Sequence, residues 1–219
     1  DFLAVQDALL CAQRVERGVV RAEDLPAADD PRLFLWRGDI TRLAADAIVN
    51  AANSALLGCF VPCHSCIDNA VHSAAGLQLR DECNRLMLKQ GHEEPPGAAK
   101  LTSGYNLPAS YVLHTVGPIV RDAPTKEDRR LLQSCYRACL ELAMEHGLHS
   151  VAFCCISTGV FHFPNEPAAA IAIDTVLGLL DQSKYDMRVI FNVFTSKDYD
   201  LYRERLYRRC APAKDADRG

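Results

Sequence analysis

Short apolar segments alternate along the chain with longer segments whose apolar residues recur at helical spacing, and that alternation limits the fold more than any other feature. Leu33-Phe34-Leu35-Trp36, Asp46-Ala47-Ile48-Val49-Asn50, Ala99 to Thr102, Tyr111 to Val116, Val151 to Ile156 and Val189 to Phe194 read as strands. Leu3 to Val15, Cys66 to Leu88, Asp128 to His146, Glu166 to Leu180 and Lys197 to Arg208 read as helices. Strands that are apolar without interruption belong to a sheet covered on both faces. Strands and helices in alternation therefore predict a three-layer α/β/α domain.

The chain has 219 residues, 49% of them hydrophobic, which suits one core better than two. Pro26, Asp29, Asp30 and Pro31 form a polar link, so residues 1–31 are expected to be a helical extension packed on a main domain spanning 32–210. Ala211 to Gly219 is polar and charged, and is expected to be disordered. A net charge of -4 argues against a nucleic-acid partner, which would call for a basic face. No apolar run approaches the roughly 20 residues needed to span a bilayer, and no charged leader precedes a short apolar segment. A cytoplasmic protein with no membrane partner is the expectation, although a first residue of Asp rather than Met reads as trimming.

Most of the ten cysteines, including Cys135, Cys139, Cys154 and Cys155, sit in apolar segments, where a reduced thiol acts as a small hydrophobe. A disulfide framework belongs to smaller domains short of core. Only Cys59, Cys63 and Cys66 cluster with a histidine, His64. Cys59-x4-His64-x-Cys66 supplies thiolate and imidazole, the ligands zinc takes at neutral pH, from one loop turning into a helix. Three protein ligands leave a fourth position open, as in catalytic rather than structural sites. Cys63 keeps two other readings open: a closed site of Cys59, Cys63, His64 and Cys66, or a redox dithiol of Cys63 with Cys66. Against the closed site, neighbouring residues 63 and 64 would both have to bend onto one ion. Two thiolates and a neutral imidazole cancel the charge of the ion, so such a site acidifies water less than three histidines would, and orientation becomes its main task.

Two loops have the composition of anion sites at the carboxyl ends of strands: Asn50-Ala51-Ala52-Asn53-Ser54, running into Leu57-Gly58-Cys59, and Ser157-Thr158-Gly159-Val160-Phe161. Gly159 permits close backbone approach to phosphate oxygens. Asp68, two residues past Cys66, is a candidate base or stabiliser of an oxocarbenium-like centre, and an aspartate in a first helical turn also suits the helix dipole.

Gly38-Asp39-Ile40-Thr41, Ala45 to Asn53, His114-Thr115-Val116-Gly117-Pro118 and Ile156 to Phe161 together resemble the macrodomain family in order and spacing over residues 33 to 209. The resemblance implies a mixed central sheet and a cleft for ADP-ribose. By carry-over, Asp39 accepts from the adenine amino group with Ile40 beside it, Asn53 faces the distal ribose, and Ser157, Thr158, Gly159, Val160 and Phe161 wrap the pyrophosphate. Phe194 would pack on adenine, or else lie in the core. His114, mid-strand, reads as a structural histidine. Where hydrolytic macrodomains carry glycines before Val-Asp-Gly, this chain has Gly58-Cys59-Phe60-Val61-Pro62-Cys63-His64-Ser65-Cys66-Ile67-Asp68-Asn69, which resembles the zinc-containing branch. That branch implies Cys59, His64 and Cys66 as Zn2+ ligands, and Asp68, Asn53 and Asn69 are the expected catalytic residues, Asn53 facing the distal ribose and Asn69, next to Asp68, helping to position it. The implied activity is zinc-dependent removal of mono-ADP-ribose from proteins by a monomer, acting opposite a sirtuin-like ADP-ribosyltransferase. O-acetyl-ADP-ribose is a further substrate the resemblance permits, and a non-catalytic ADP-ribose reader with a structural zinc is the alternative.

Overall fold

The computed structural model describes residues 1–207. The tail expected to be disordered at 211–219, and the last residues of the 32–210 domain, lie outside the described residues. The elements in chain order are α1 (Phe2–Arg17), β1 (Val20–Arg21), β2 (Leu33–Arg37), β3 (Leu43–Ala44), β4 (Ala47–Ala51), α2 (Ile67–Ala75), α3 (Leu77–Gln90), β5 (Ala99–Ser103), β6 (Tyr111–Thr115), α4 (Lys126–Glu145), β7 (Ser150–Phe153), α5 (Asn165–Ser183), β8 (Arg188–Val193) and α6 (Ser196–Leu206).

A six-stranded sheet runs in the order β2-β8-β7-β4-β6-β5. Adjacent strands are parallel except β5, which is antiparallel to β6, so the sheet is mixed. The chain crosses the sheet one way from β4 to β6 and the other way from β6 through β7 to β8. Right-handed crossovers in opposite directions place α2 and α3 on one face and α4 and α5 on the other. The helix α6 packs against α5 and the β2–β8 edge. The carboxyl ends of β4 and β7 mark the reversal, and crevices for ligands open at such switch points.

Burial explains the strand sequences. Ile48 and Val49 of β4, Val151 of β7, and Val189 and Ile190 of β8 have no exposed surface. On α4 the buried residues Leu132, Cys135, Tyr136, Cys139, Leu140 and Ala143 fall at helical spacing along one stripe. Burial pushes the Cys135 and Cys139 thiols up, and both are free and neutral in the core.

Three features depart from the sequence pattern. The helix predicted from Cys66 to Leu88 is two helices, broken at Gly76 with φ 97°. Apolar periodicity continues across the break through Ala75 and Leu79, which is why spacing alone does not reveal it. The strands expected to reach Ile156 and Phe194 end at Phe153 and Val193, leaving those residues to the loops beyond. A short parallel ribbon pairs β1 with β3, and Ala28 N donates to Leu33 O, so residues 20–31 are tied into the body.

The helix α1 buries no residue. Polar groups hold it: Gln6 Oε1 accepts from Leu77 N (3.0 Å), Gln6 Nε2 donates to Gln78 Oε1 (2.7 Å), and Asp7 Oδ1 accepts from Asn106 Nδ2 (2.8 Å). Its apolar residues Phe2, Val5, Leu9 and Val15 face outward. Gln6 thereby supplies, from another helix, a partner for an orphan N–H at the start of α3.

Candidate functional site

The parallel strands end on one edge of the sheet, and the candidate residues gather there. Asn50 is the penultimate residue of β4 and fully buried. Asp68 lies in the first turn of α2 and is 5% exposed. Asn50 Nδ2 donates to Asp68 Oδ1 (2.8 Å), and Asn53 Nδ2 donates to Asp68 Oδ2 (3.2 Å). Two amides from β4 and the loop after it thus hold the carboxylate, one on each oxygen. Burial raises the proton affinity of Asp68, opposed by the Asn50 bond and by the charge of Arg80. A carboxylate so held is fixed in orientation and more basic than one in water, which suits a base.

Asn53 also donates to Gly58 O (3.1 Å), and its own Oδ1 accepts from Ala55 N (3.1 Å). It therefore ties the β4 loop to the start of the loop that carries Cys59 and His64, as well as to Asp68. Asn69, expected to help position the ribose, donates Nδ2 to two carbonyls of the loop, Cys59 O (3.4 Å) and Val61 O (3.3 Å).

That loop brings the donor atoms of Cys59, His64 and Cys66 within 4.8 Å of one another, with Cys59 Sγ 3.4 Å from His64 Nδ1. Cys66 is the N-cap of α2, and its sulfur accepts from Asn69 N (3.4 Å). Burial pushes the Cys66 thiol up, partly offset by that N–H. Two sulfurs and one imidazole nitrogen at this spacing are a donor set that zinc accepts. Cys63 is exposed with φ 56° and stands outside the group. Gly58 lets the loop pass close to the body: its φ is 80°, and a Cβ there would lie 2.8 Å from the ring of His72.

The second loop leaves β7 through Ser157, which is buried with φ 65°. Phe163 N donates to Ser157 O and His162 N to Gly159 O, closing a tight turn. Among the described residues the N–H groups of Gly159, Val160 and Phe161 are not used by the turn itself, and successive free amides of this kind make an anion-binding concavity. Gly117, two residues past β6, abuts this turn, since a Cβ there would lie 2.0 Å from Ser157 Oγ.

Asp39 caps the short 3-10 turn Ile40–Arg42, with Oδ1 accepting from Thr41 N (3.0 Å) and Thr41 Oγ1 (2.7 Å). Ile40 is buried in the core, so its side chain offers a ligand little surface. Phe194, directly after β8, is 78% exposed and is not a core residue.

His114 has partners on both nitrogens, Thr102 Oγ1 at 2.9 Å from Nε2 and Asn50 Nδ2 at 3.2 Å from Nδ1. Burial holds its pKa down to about 3, so it is a neutral structural ring. Three residues were not singled out from sequence: Asn50 as the holder of Asp68, and His72 and Arg80 on the helices behind it. His72 Nε2 lies 3.6 Å from Asp68 Oδ1, one turn along α2. A polar residue closing an apolar strand, and the i,i+4 spacing of Asp68 and His72, are the signals that point to them.

The Macro domain family model matches residues 49–172. A protein-ADP-ribose hydrolase of Staphylococcus aureus (strain Mu50 / ATCC 700699) is 50% identical over 209 residues, covering 95% of this chain and 78% of the relative. The ADP-ribose glycohydrolase MACROD1 of Mus musculus is 46% identical over 211 residues, covering 94% of this chain and 62% of the relative. The crystal structure of the Trypanosoma brucei macrodomain in complex with ADP-ribose superposes with a TM-score of 0.73 at 37% identity, covering 85% of this chain and 76% of that one.

Proposed function

The chain belongs to the macro domain family, and on that premise we propose that it is a zinc-dependent hydrolase releasing ADP-ribose from mono-ADP-ribosylated proteins. The observation that carries the proposal is the placement of Asp68, held by Asn50 and Asn53, in the helix turn that Cys66 caps, directly after the cluster of Cys59, His64 and Cys66. The names of the Staphylococcus aureus and Mus musculus relatives support hydrolysis, and the Trypanosoma brucei complex supports ADP-ribose as the ligand.

In this reading the free amides of Gly159, Val160 and Phe161 take the pyrophosphate, and the exposed ring of Phe194 stacks on adenine. Asp39 keeps Oδ2 for the adenine amino group, its Oδ1 being taken by Thr41. The distal ribose then lies over Asn53 and the start of the metal loop. The attacking water's oxygen bonds to the anomeric carbon and gives a proton to a carboxylate oxygen of Asp68. The acceptor side chain leaves with the electron pair of its bond to the ribose, a carboxylate as such and a hydroxyl after taking up a proton. Zinc held by Cys59, His64 and Cys66 supplies a Lewis acid at that end of the cleft. Asn69 acts one step back, fixing the loop through Cys59 O and Val61 O.

The test is incubation with a mono-ADP-ribosylated protein, reading free ADP-ribose and loss of the modification together. Release by the wild-type chain, reduced by roughly 100-fold or more in Asp68→Asn, is the expected result. Binding without release, across serine-linked and acid-linked substrates, would make the chain a reader.

A further inference from the structure

The turn that carries Asp39 leaves the sheet from its edge, because β2 has a sheet neighbour on one side only, β8. Contact with β8 continues to Gly38, whose N–H donates to Val193 O (3.0 Å). Gly38 O is met by a side chain: Asn192 Nδ2 donates to it (3.0 Å) and to Trp36 O (3.4 Å). Asn192 is the one polar residue among the buried residues of β8. An amide in an otherwise apolar buried strand is destabilising unless its hydrogen bonds are made, and these two carbonyls are what it binds.

What Asn192 holds is the root of a recognition element. The Trp36 ring packs on Gly38 so closely that a Cβ there would lie 2.5 Å from it. Residue 38 is thereby fixed through its N–H, its carbonyl and its α-carbon. Asp39 follows, with Oδ1 bound by Thr41 N and Thr41 Oγ1, which leaves Oδ2 for a ligand. Phe194, the exposed ring read as stacking on adenine, lies two residues beyond Asn192 where the chain leaves β8. Asn192 therefore joins the chain that carries the ring to the turn that carries the carboxylate. A base stacked on Phe194 meets Asp39 Oδ2 only if the spacing between them is right, since a hydrogen bond weakens steeply with misplacement. We propose that Asn192 is the positioning residue for base selection. Through Gly38 O it sets Asp39 Oδ2 to face an exocyclic amino group, so that adenine is taken in preference to hypoxanthine, which puts a carbonyl oxygen there. The inference rests on the reading of Asp39 and Phe194 as the adenine contacts, and is independent of zinc and of hydrolysis.

Calorimetry on the full chain, with ADP-ribose and with its hypoxanthine counterpart, inosine diphosphate ribose, is the test. The wild type should bind ADP-ribose about 10-fold or more tightly than the inosine compound, the difference expected when a charged acceptor loses its donor. Asn192→Leu keeps the volume and removes the donors. It should bind ADP-ribose more weakly and the inosine compound as the wild type does, bringing the ratio below about 3-fold. Asn192→Gln keeps an amide and should recover part of the preference. A loss of packing alone would weaken both nucleotides alike, so an unchanged ratio in Asn192→Leu overturns the proposal. Asn192→Ala is read in the same way and serves if the leucine variant does not fold. Asp39→Ala separates the proposal from the reading beneath it. A preference lost in Asp39→Ala but kept in Asn192→Leu leaves the adenine reading standing and refutes the role of Asn192. A preference that survives Asp39→Ala, or none in the wild type, refutes the adenine reading and this inference with it.

Discussion

The side-chain amide of Asn50, sealed at the end of β4, donates to Oδ1 of Asp68 in the first turn of α2 across 2.8 Å. The same amide faces Nδ1 of His114, whose Nε2 meets Thr102 Oγ1. Asn50→Ala removes the donor to a buried carboxylate and leaves a buried ring nitrogen bare. The expected cost is about 1–3 kcal/mol in urea denaturation, with turnover falling further than ADP-ribose affinity. A variant as stable as the wild type would show that the bond contributes nothing to the fold.

Gly58 carries the loop of Cys59 and His64 past His72 at φ 80°, where a Cβ would lie 2.8 Å from the ring. Gly58→Ala combines a disfavoured backbone region with a clash against a buried side chain. It should destabilise by about 1–3 kcal/mol and weaken zinc binding, read by competition with a chromophoric chelator. Unchanged zinc affinity would mean that the loop's approach to His72 does not set the spacing of its ligands.

Phe194→Ala separates binding from folding. At 78% exposure the ring contributes little to the core, and the thermal midpoint should hardly move. Stacking on a base contributes about 1–3 kcal/mol, so calorimetry should find ADP-ribose bound roughly 5- to 150-fold more weakly. Equal affinity would remove Phe194 from the adenine site.

Two buried histidines set the response to acid. Burial holds His114 at about 3 and His72 at about 4, against 6.5 when exposed. Below pH 6.5 the unfolded chain takes up protons that the folded chain refuses. Stability is therefore full above that pH and falls as pH drops toward the folded values, by up to roughly 1.4 kcal/mol per pH unit per ring. His114→Gln should start less stable at pH 7 and lose stability less steeply between about pH 6 and pH 5, with zinc content measured at each point. Parallel pH profiles would rule out the ring as a source of acid sensitivity.

The fold was legible because buried strands leave uninterrupted apolar runs and α4 leaves its stripe, both consequences of a sheet covered on two faces. The break at Gly76 was hidden because apolar spacing continues across it. The orientation of α1 was hidden for the opposite reason: its apolar residues form a stripe, but polar side chains such as Gln6 and Asp7 make the contacts with the body. The grouping of Cys59, His64 and Cys66 was visible in the spacing Cys59-x4-His64-x-Cys66, while the position of Cys63 outside it goes with a left-handed turn that spacing does not encode. Asn69 follows the candidate base in sequence, a place that suggests help in positioning the ribose; that its amide also donates to Cys59 O and Val61 O is a backbone partnership only coordinates reveal.

The most direct measurement follows ADP-ribose release before zinc removal, after chelation, and after zinc is returned, with circular dichroism and ADP-ribose affinity taken at each stage. Cys66→Ser serves as a companion, since a hydroxyl can keep the N-cap bond to Asn69 N while weakening the metal site. The account predicts that the stripped protein stays folded and still binds ADP-ribose, that release is lost, and that added zinc restores it in the wild type but not in Cys66→Ser. Full-rate release by folded, zinc-free protein would contradict it.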